Sequence, residues 1–171
     1  MDELTRRILV IDDTDAIHQD FRRLLCPERA GNRKNLSRLA GALFGPAPSA
    51  PPPSAPAPST PEPSGPLFQV DSAFQGVEGV ARVREAQEAG RPYALVFLDY
   101  RMPPGWNGVE TLRHLWRVAP SQRVVLCSAY SDYSWEDITR EFGLSPLLTE
   151  LRKPFDNQHV RQTALTLSAP P

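Results

Sequence analysis

The chain has 171 residues, 40% of them hydrophobic, enough for one core with or without an appendage. Nineteen basic and 20 acidic residues give a net charge of −1, too balanced for an electrostatic nucleic-acid footprint. No window reaches the roughly 18 continuous apolar residues of a membrane span. The opening Met-Asp-Glu-Leu-Thr-Arg-Arg lacks the charge order and apolar length of a signal peptide, so a cytoplasmic protein with no membrane partner is expected.

Strand-length apolar runs alternate with helical patterns along the chain. Ile8-Leu9-Val10-Ile11, stopped by Asp12-Asp13, reads as a buried parallel strand. Ile17, Phe21, Leu24 and Leu25 then recur at helical spacing, with Asp13 or Thr14 as cap. Residues 67–71 alternate and make a weaker second strand. A helix over 76–89 follows, with Val77, Val80, Ala81 and Val83 facing inward and Gly90 as its stop. Tyr93 to Leu98 is the strongest apolar run and reads as a central strand closed by Asp99. A Pro/Gly-rich loop at 102–108 leads into a helix over about 109–118. The run 123–127 is a fourth strand ending in Ser128-Ala129, and 134–142 a short helix with little amphipathic character. A fifth strand at 147–151 runs into Lys153-Pro154-Phe155 and a helix over about 156–167. Five strand–helix repeats predict a parallel α/β sheet with helices on both faces, its ligand crevice beyond the carboxyl ends of the strands.

One connection is far too long for that plan. Residues 27–66 separate the first helix from the second strand, where a few residues would do. Residues 32–44 carry Leu36, Leu39, Ala40, Leu43 and Phe44 at helical spacing, which fits a short helix lying on the parent domain or docking a partner. Ten of the 19 prolines lie between Pro46 and Pro66, so 45–66 is expected to be a solvated, disordered insert. The rest, within 1–171, is one domain, with 168–171 a linker-like tail. Cys26 and Cys127 lie in apolar surroundings and read as two reduced, buried thiols.

The polar residues at the strand ends converge on one sheet edge: Asp12-Asp13 after the first strand, Asp99 after the third, Ser128 after the fourth and Lys153 after the fifth. Three acids in one crevice repel one another, and a hard divalent cation, Mg²⁺ above all, removes the conflict. Such a site suits phosphoryl transfer onto a carboxylate. The chain uses arginine 17 times and lysine twice, yet one lysine stands at this edge, where a compact ammonium fits better than a guanidinium fork.

The segments ILVIDD at 8–13, LVFLDYRMPPGWNG at 95–108, VVLCSAY at 124–130 and LRKPF at 151–155 resemble the response regulator receiver domain of two-component signalling. PPGWNG and AYSDYSW are similar, in particular, to N-terminal receivers of sensor-kinase or cyclic-dinucleotide proteins that carry a long segment after their first helix. The resemblance implies a flavodoxin-like (βα)5 three-layer sandwich with strand order 2-1-3-4-5. It implies Asp99 as the phosphoacceptor for a sensor histidine kinase or phosphotransfer protein. Asp12, Asp13, Asp99 and the Arg101 backbone carbonyl would be the Mg²⁺ ligands, and Ser128, the Ala129 amide and Lys153 would hold the phosphoryl oxygens. A cis peptide before Pro154 is also implied, as is the absence of turnover-enzyme activity. Three residues before the lysine the family usually has an aromatic that rotates inward on activation. This chain has Glu150, so the switch is expected to be altered, with Tyr130 or Tyr133 as substitutes. Bulky Arg101 and Tyr130 flank the water path to an acyl phosphate, and slow dephosphorylation is the corresponding expectation.

Other features carry less. His18, His114 and His159 lack metal-ligand spacing and are expected at the surface or half-buried. Trp116 reads as core, while Trp106 and Trp135 suit either loop packing or a partner surface. Two competing functions stay open: a receiver-shaped scaffold that is never phosphorylated, and an aspartate-nucleophile phosphatase. The phosphatases usually carry a second acid where this chain has Arg101. The kinase, the output partner, homodimerisation and whether the chain is a piece of a longer protein are not legible.

Overall fold

The computed structural model describes residues 5–26, 67–129 and 134–170. The expected helix over 32–44, the proline-rich stretch 45–66, Tyr130, Tyr133 and the last residue of the tail lie outside the described residues. Among those described, five strands and five helices alternate: β1 (Arg6–Ile11), α1 (Asp15–Leu25), β2 (Phe68–Ala73), α2 (Gly76–Glu88), β3 (Leu95–Asp99), α3 (Gly108–Val118), β4 (Val124–Ser128), α4 (Trp135–Phe142), β5 (Leu148–Arg152) and α5 (Asn157–Leu167). All strand pairs are parallel, in the order β2-β1-β3-β4-β5. This is the α/β, flavodoxin-like arrangement that the sequence implied.

The layers follow from the two-residue period of a strand. Ile8, Val10, Leu95, Phe97, Val125 and Cys127 point to one face, where Phe21 and Leu25 of α1 and Val160 and Ala164 of α5 cover them. Leu9, Ile11, Val96, Leu98, Val124 and Leu126 point to the other, beneath Val80 and Val83 of α2, Leu112 and Leu115 of α3 and Ile138 of α4. With both faces covered, β3 and β4 are buried at every position, which is why they read as unbroken apolar runs. Phe97 at the centre packs edge-on against Phe21 at 4.8 Å, and truncating such a ring costs about 3–5 kcal/mol.

Local chemistry sets the helix ends. Asn107, Ser134 and Asp156 accept backbone N–H groups in the first turns of α3, α4 and α5. Beyond α2, Gly90 takes φ +67°, the left-handed conformation that stops the helix as expected.

Several expectations need correction. In α2, Val77 and Ala81 point outward, Val77 being 56% exposed, while Gly76, Gly79 and Ala86 share the inward face with Val80 and Val83. Gly79 lets the helix approach Ile11 of the sheet and Gly76 lets it approach Thr111 of α3, and counting only bulky apolar residues misses that. The short α4 is clearly amphipathic: Trp135, Ile138 and Phe142 fall at i, i+3 and i+7 and pack on the core. Strand β2 runs two residues past the expected end. Cys127 is buried as expected, but Cys26 is only half-buried, its thiol directed at the Phe68 carbonyl; both are free thiols. No described helix is long and apolar enough to cross a membrane.

Candidate functional site

The carboxyl ends of β1, β3, β4 and β5 bring the expected polar residues to one edge. Asp12 follows β1 and is buried; Asp13, next to it, is exposed; Asp99 ends β3 and is buried. Carboxylate oxygens of all three lie within 4.8 Å of one another. From the end of β5, Lys153 reaches across with Nζ 3.0 Å from Asp99 Oδ1 and 3.5 Å from Asp12 Oδ2. Its own backbone N–H donates to the Ser128 carbonyl at 2.7 Å, which ties the lysine to the end of β4. The Lys153–Pro154 peptide is cis, as the resemblance implied; Pro103–Pro104 is also cis, which was not anticipated.

These charges are not balanced. Burial pushes the Asp99 carboxyl up, the Asp12 charge adds to it, and Lys153 only partly offsets both, leaving the pKa at about 6. Burial opposes the charge on Lys153 too, but Asp99 and Asp12 outweigh it and hold the ammonium above its ordinary value. The lysine gains from the arrangement; Asp99 does not. Among the described residues, two buried acids and an exposed third face a single ammonium. An oxygen-only donor set of this kind fits a hard divalent cation, and Asp12, Asp13 and Asp99 are the residues that could hold one.

The loop after Asp99 is anchored tightly. The Gly108 N–H donates to the Tyr100 carbonyl at 2.7 Å. A Cβ at Gly108 would sit 2.9 Å from the Asp99 carbonyl oxygen and 2.8 Å from Leu126, so only glycine lets α3 begin this close to the strand end. Arg101 is exposed, two residues beyond Asp99. Trp106 stacks in parallel on His114 at 4.0 Å. Trp106, Trp116 and Trp135 are all half-buried against the core, Trp135 as the first residue of α4.

Ser128 is buried at the end of β4, with half-buried Ala129 after it. The Ser128 hydroxyl points to Glu150 Oε1 at 3.4 Å, and the same oxygen takes Arg152 Nε at 3.0 Å. Glu150 is therefore half-buried within reach of the site, rather than a free surface acid. Tyr130, the other expected switch residue, lies outside the described residues.

One residue of this edge departs from the expectation. His18 is 0% exposed, not at the surface, and its Nε2 lies 2.7 Å from the Asp12 carbonyl oxygen. The signal was present: His18, Phe21 and Leu25 fall at i, i+3 and i+7, the buried face of α1. His114 is half-buried and His159 exposed, as expected.

No protein-family model matches the chain, and no curated protein matches it in sequence. Solved structures do match in fold. The response regulator receiver domain protein from Clostridium thermocellum is 21% identical with a TM-score of 0.57, over 95% of this chain and 93% of that one. Chemotaxis protein CheY4 of Vibrio cholerae is 17% identical with a TM-score of 0.57, over 95% and 98%. The response regulator domain of Thermotoga maritima CheB is 19% identical with a TM-score of 0.53, over 95% and 90%. The fold is that of a response regulator receiver domain. At these identities the likeness speaks for the receiver fold alone. What the acidic edge of this receiver fold does is argued from its own residues.

Proposed function

We propose that this domain is a phosphorylation-operated switch of two-component signalling, with Asp99 as the phosphoacceptor. The observation that carries the reading is a buried carboxylate at the end of the central strand, crowded by two further acids and touched by an ammonium. An Asp99 oxygen attacks the phosphorus of a phosphohistidine on a partner kinase or phosphotransfer protein. The P–N bond breaks, an acyl phosphate forms, and the departing imidazole takes up a proton. Mg²⁺ held by Asp12, Asp13, Asp99 and the Arg101 carbonyl would supply positive charge against the phosphoryl oxygens. Lys153 meets a second phosphoryl oxygen, and the Ser128 hydroxyl with the Ala129 amide a third. Burial leaves the Asp99 carboxylate poorly hydrated, which favours its attack.

Glu150 is the switch element in this reading. It now faces the Ser128 hydroxyl, and recruiting Ser128 to a phosphoryl group takes that contact apart, leaving Glu150 and Arg152 to rearrange. A receiver-shaped scaffold that is never phosphorylated is the second reading. Glu150, standing where an aromatic is usual and already occupied by Ser128 and Arg152, is what favours it.

Incubation with Mg²⁺ and a small acyl phosphate, followed by intact-protein mass measurement, separates the possibilities. A single stable phosphorylation that is lost in Asp99→Asn supports the switch. Continuous phosphate release supports a phosphatase, and no labelling supports the scaffold.

A further inference from the structure

Asp12 is held at every polar atom, each time by a different part of the fold. Its N–H donates to the Ala73 carbonyl at the end of β2, 3.1 Å away. Its Oδ1 accepts the Thr14 N–H at 2.8 Å, and its Oδ2 faces Lys153 Nζ at 3.5 Å. The remaining atom, the backbone carbonyl, is met by His18 Nε2 at 2.7 Å from inside α1. A carbonyl only accepts, so Nε2 carries the proton. The other ring nitrogen, Nδ1, is buried with no hydrogen-bond partner among the described residues. A proton on Nδ1 would be a stranded buried donor, whereas one on Nε2 meets the Asp12 carbonyl, so the ring N–H that the geometry uses is Nε2–H. The ring face packs on Phe74, centroids 4.4 Å apart.

This is a poor way to fill a core. An apolar side chain of similar size would pack there without burying an orphaned nitrogen. What the imidazole adds is one directed N–H on the carbonyl between the two acids Asp12 and Asp13. Asp13 needs that help, since its carboxylate is exposed and, among the described residues, accepts a hydrogen bond only from the Thr14 hydroxyl at 3.4 Å. We infer that His18 is a positioning residue for the acidic pair: its Nε2–H fixes the Asp12–Asp13 peptide so that both carboxylates are presented to a divalent cation. The inference rests on the metal-dependent reading above and adds to it a residue that touches neither metal nor phosphoryl group.

Glutamine and methionine have similar length and shape, but only glutamine can place an N–H near the position of Nε2. Mg²⁺ affinity is measured calorimetrically on the chelator-treated full chain, well below the melting temperature of each variant. His18→Gln is expected to stay near the wild type, and His18→Met to bind Mg²⁺ about 10-fold more weakly, the low end for loss of a group that orients a ligand. Equal affinity in wild type, Gln and Met overturns the inference alone. Equal weakening in Gln and Met also overturns it, because the packing of the ring would then be what matters. A wild type that binds no Mg²⁺ overturns the reading on which the inference rests, and the inference with it. If the variants do not fold, ¹⁵N spectra of the wild-type imidazole decide: a slowly exchanging Nε2–H that persists with Mg²⁺ supports the assignment, and an Nδ1–H tautomer overturns it.

Discussion

The sheet holds two clusters of buried or half-buried charge, and they are built on opposite principles. Beside the amino-terminal parts of β1 and β3, Arg7 donates to Asp71 at 2.8 Å, lies over the Tyr93 ring at 4.5 Å and donates to the Arg91 carbonyl; the Tyr93 hydroxyl donates to the same Asp71 oxygen. Burial works against the Asp71 charge, but the bonds from Arg7, Tyr93 and Gln69 overcome it and hold the carboxyl below its ordinary value. Tyr93 is pushed up to about 12, by burial first and then by Asp71. At the carboxyl ends of the same strands, Asp99 is pushed the other way. One cluster balances its charges without any ligand, although the buried Arg7 Nε has no hydrogen-bond partner among the described residues. The other keeps an unrelieved negative charge, and a cation has something to relieve there.

The largest contrast comes from removing each acid. Asp99→Asn is expected to abolish phosphoryl labelling altogether while making the metal-free fold more stable at pH 7.5. The sign follows from the raised pKa: the folded state binds the proton more tightly than the unfolded chain, so Asp99 destabilises the fold above about pH 6 and contributes nothing below about pH 4. The gain has a ceiling on the order of 3 kcal/mol at about 1.4 kcal/mol per pKa unit, and thermal melts in chelator between pH 4 and 7.5 read it. A variant less stable than wild type at pH 7.5 would mean the two clusters do not differ in the way described.

Magnesium is expected to act on one cluster only. At about 100 times its dissociation constant a ligand stabilises by roughly 2.7 kcal/mol, so melts with and without Mg²⁺ should separate clearly. Asp13→Asn should remove that increment and Arg7→Met should leave it intact. An increment that survives in Asp13→Asn would place the cation elsewhere.

The charge-balanced cluster predicts a loss of about 1–3 kcal/mol in Arg7→Met, because Asp71 stays half-buried with its main partner gone. Here the pKa is lowered, so the stability from Asp71 is full above the ordinary carboxylate value and disappears as the pH falls through the folded value. The cost of Arg7→Met should therefore be complete at pH 7 and shrink below about pH 4, a window in which Asp99 no longer contributes. Urea titrations at the two pH values measure it, and phosphoryl labelling should be unchanged.

The two clusters also differed in how far the sequence disclosed them. Asp12, Asp13, Asp99, Ser128 and Lys153 each end a strand, and in a parallel sheet all strand ends open on one edge, so period and order alone place them together. Arg7, Asp71 and Tyr93 carry no such mark. Asp71 sits within an edge strand whose alternation is weak, and its pairing with Arg7 depends on the register Arg7↔Gln69, which no local pattern reveals. His18 is legible in the helical period, although its residue type alone points to an exposed histidine. Val77 shows the reverse: its β-branched side chain suggests the inward face, which Gly76 and Gly79 occupy instead.

Glu150 lies at the boundary of the poised cluster and should give the smallest effect. Its carboxylate takes the Ser128 hydroxyl at 3.4 Å, a long contact, while Arg152 holds it at 3.0 Å from a partly exposed position. Glu150→Gln keeps the shape and an acceptor but removes the charge, so Ser128 is held less strongly and is freer to turn toward Asp99. A weak bond of this length shifts the balance by about 0.5 kcal/mol, near a two-fold faster labelling by acyl phosphate. Stability should move by less than about 1 kcal/mol, since the Arg152 pair is partly open to water. Labelling that slows instead would mean that the Glu150 charge supports the reactive arrangement, and the switch would then have to be sought elsewhere than in the Ser128–Glu150 contact.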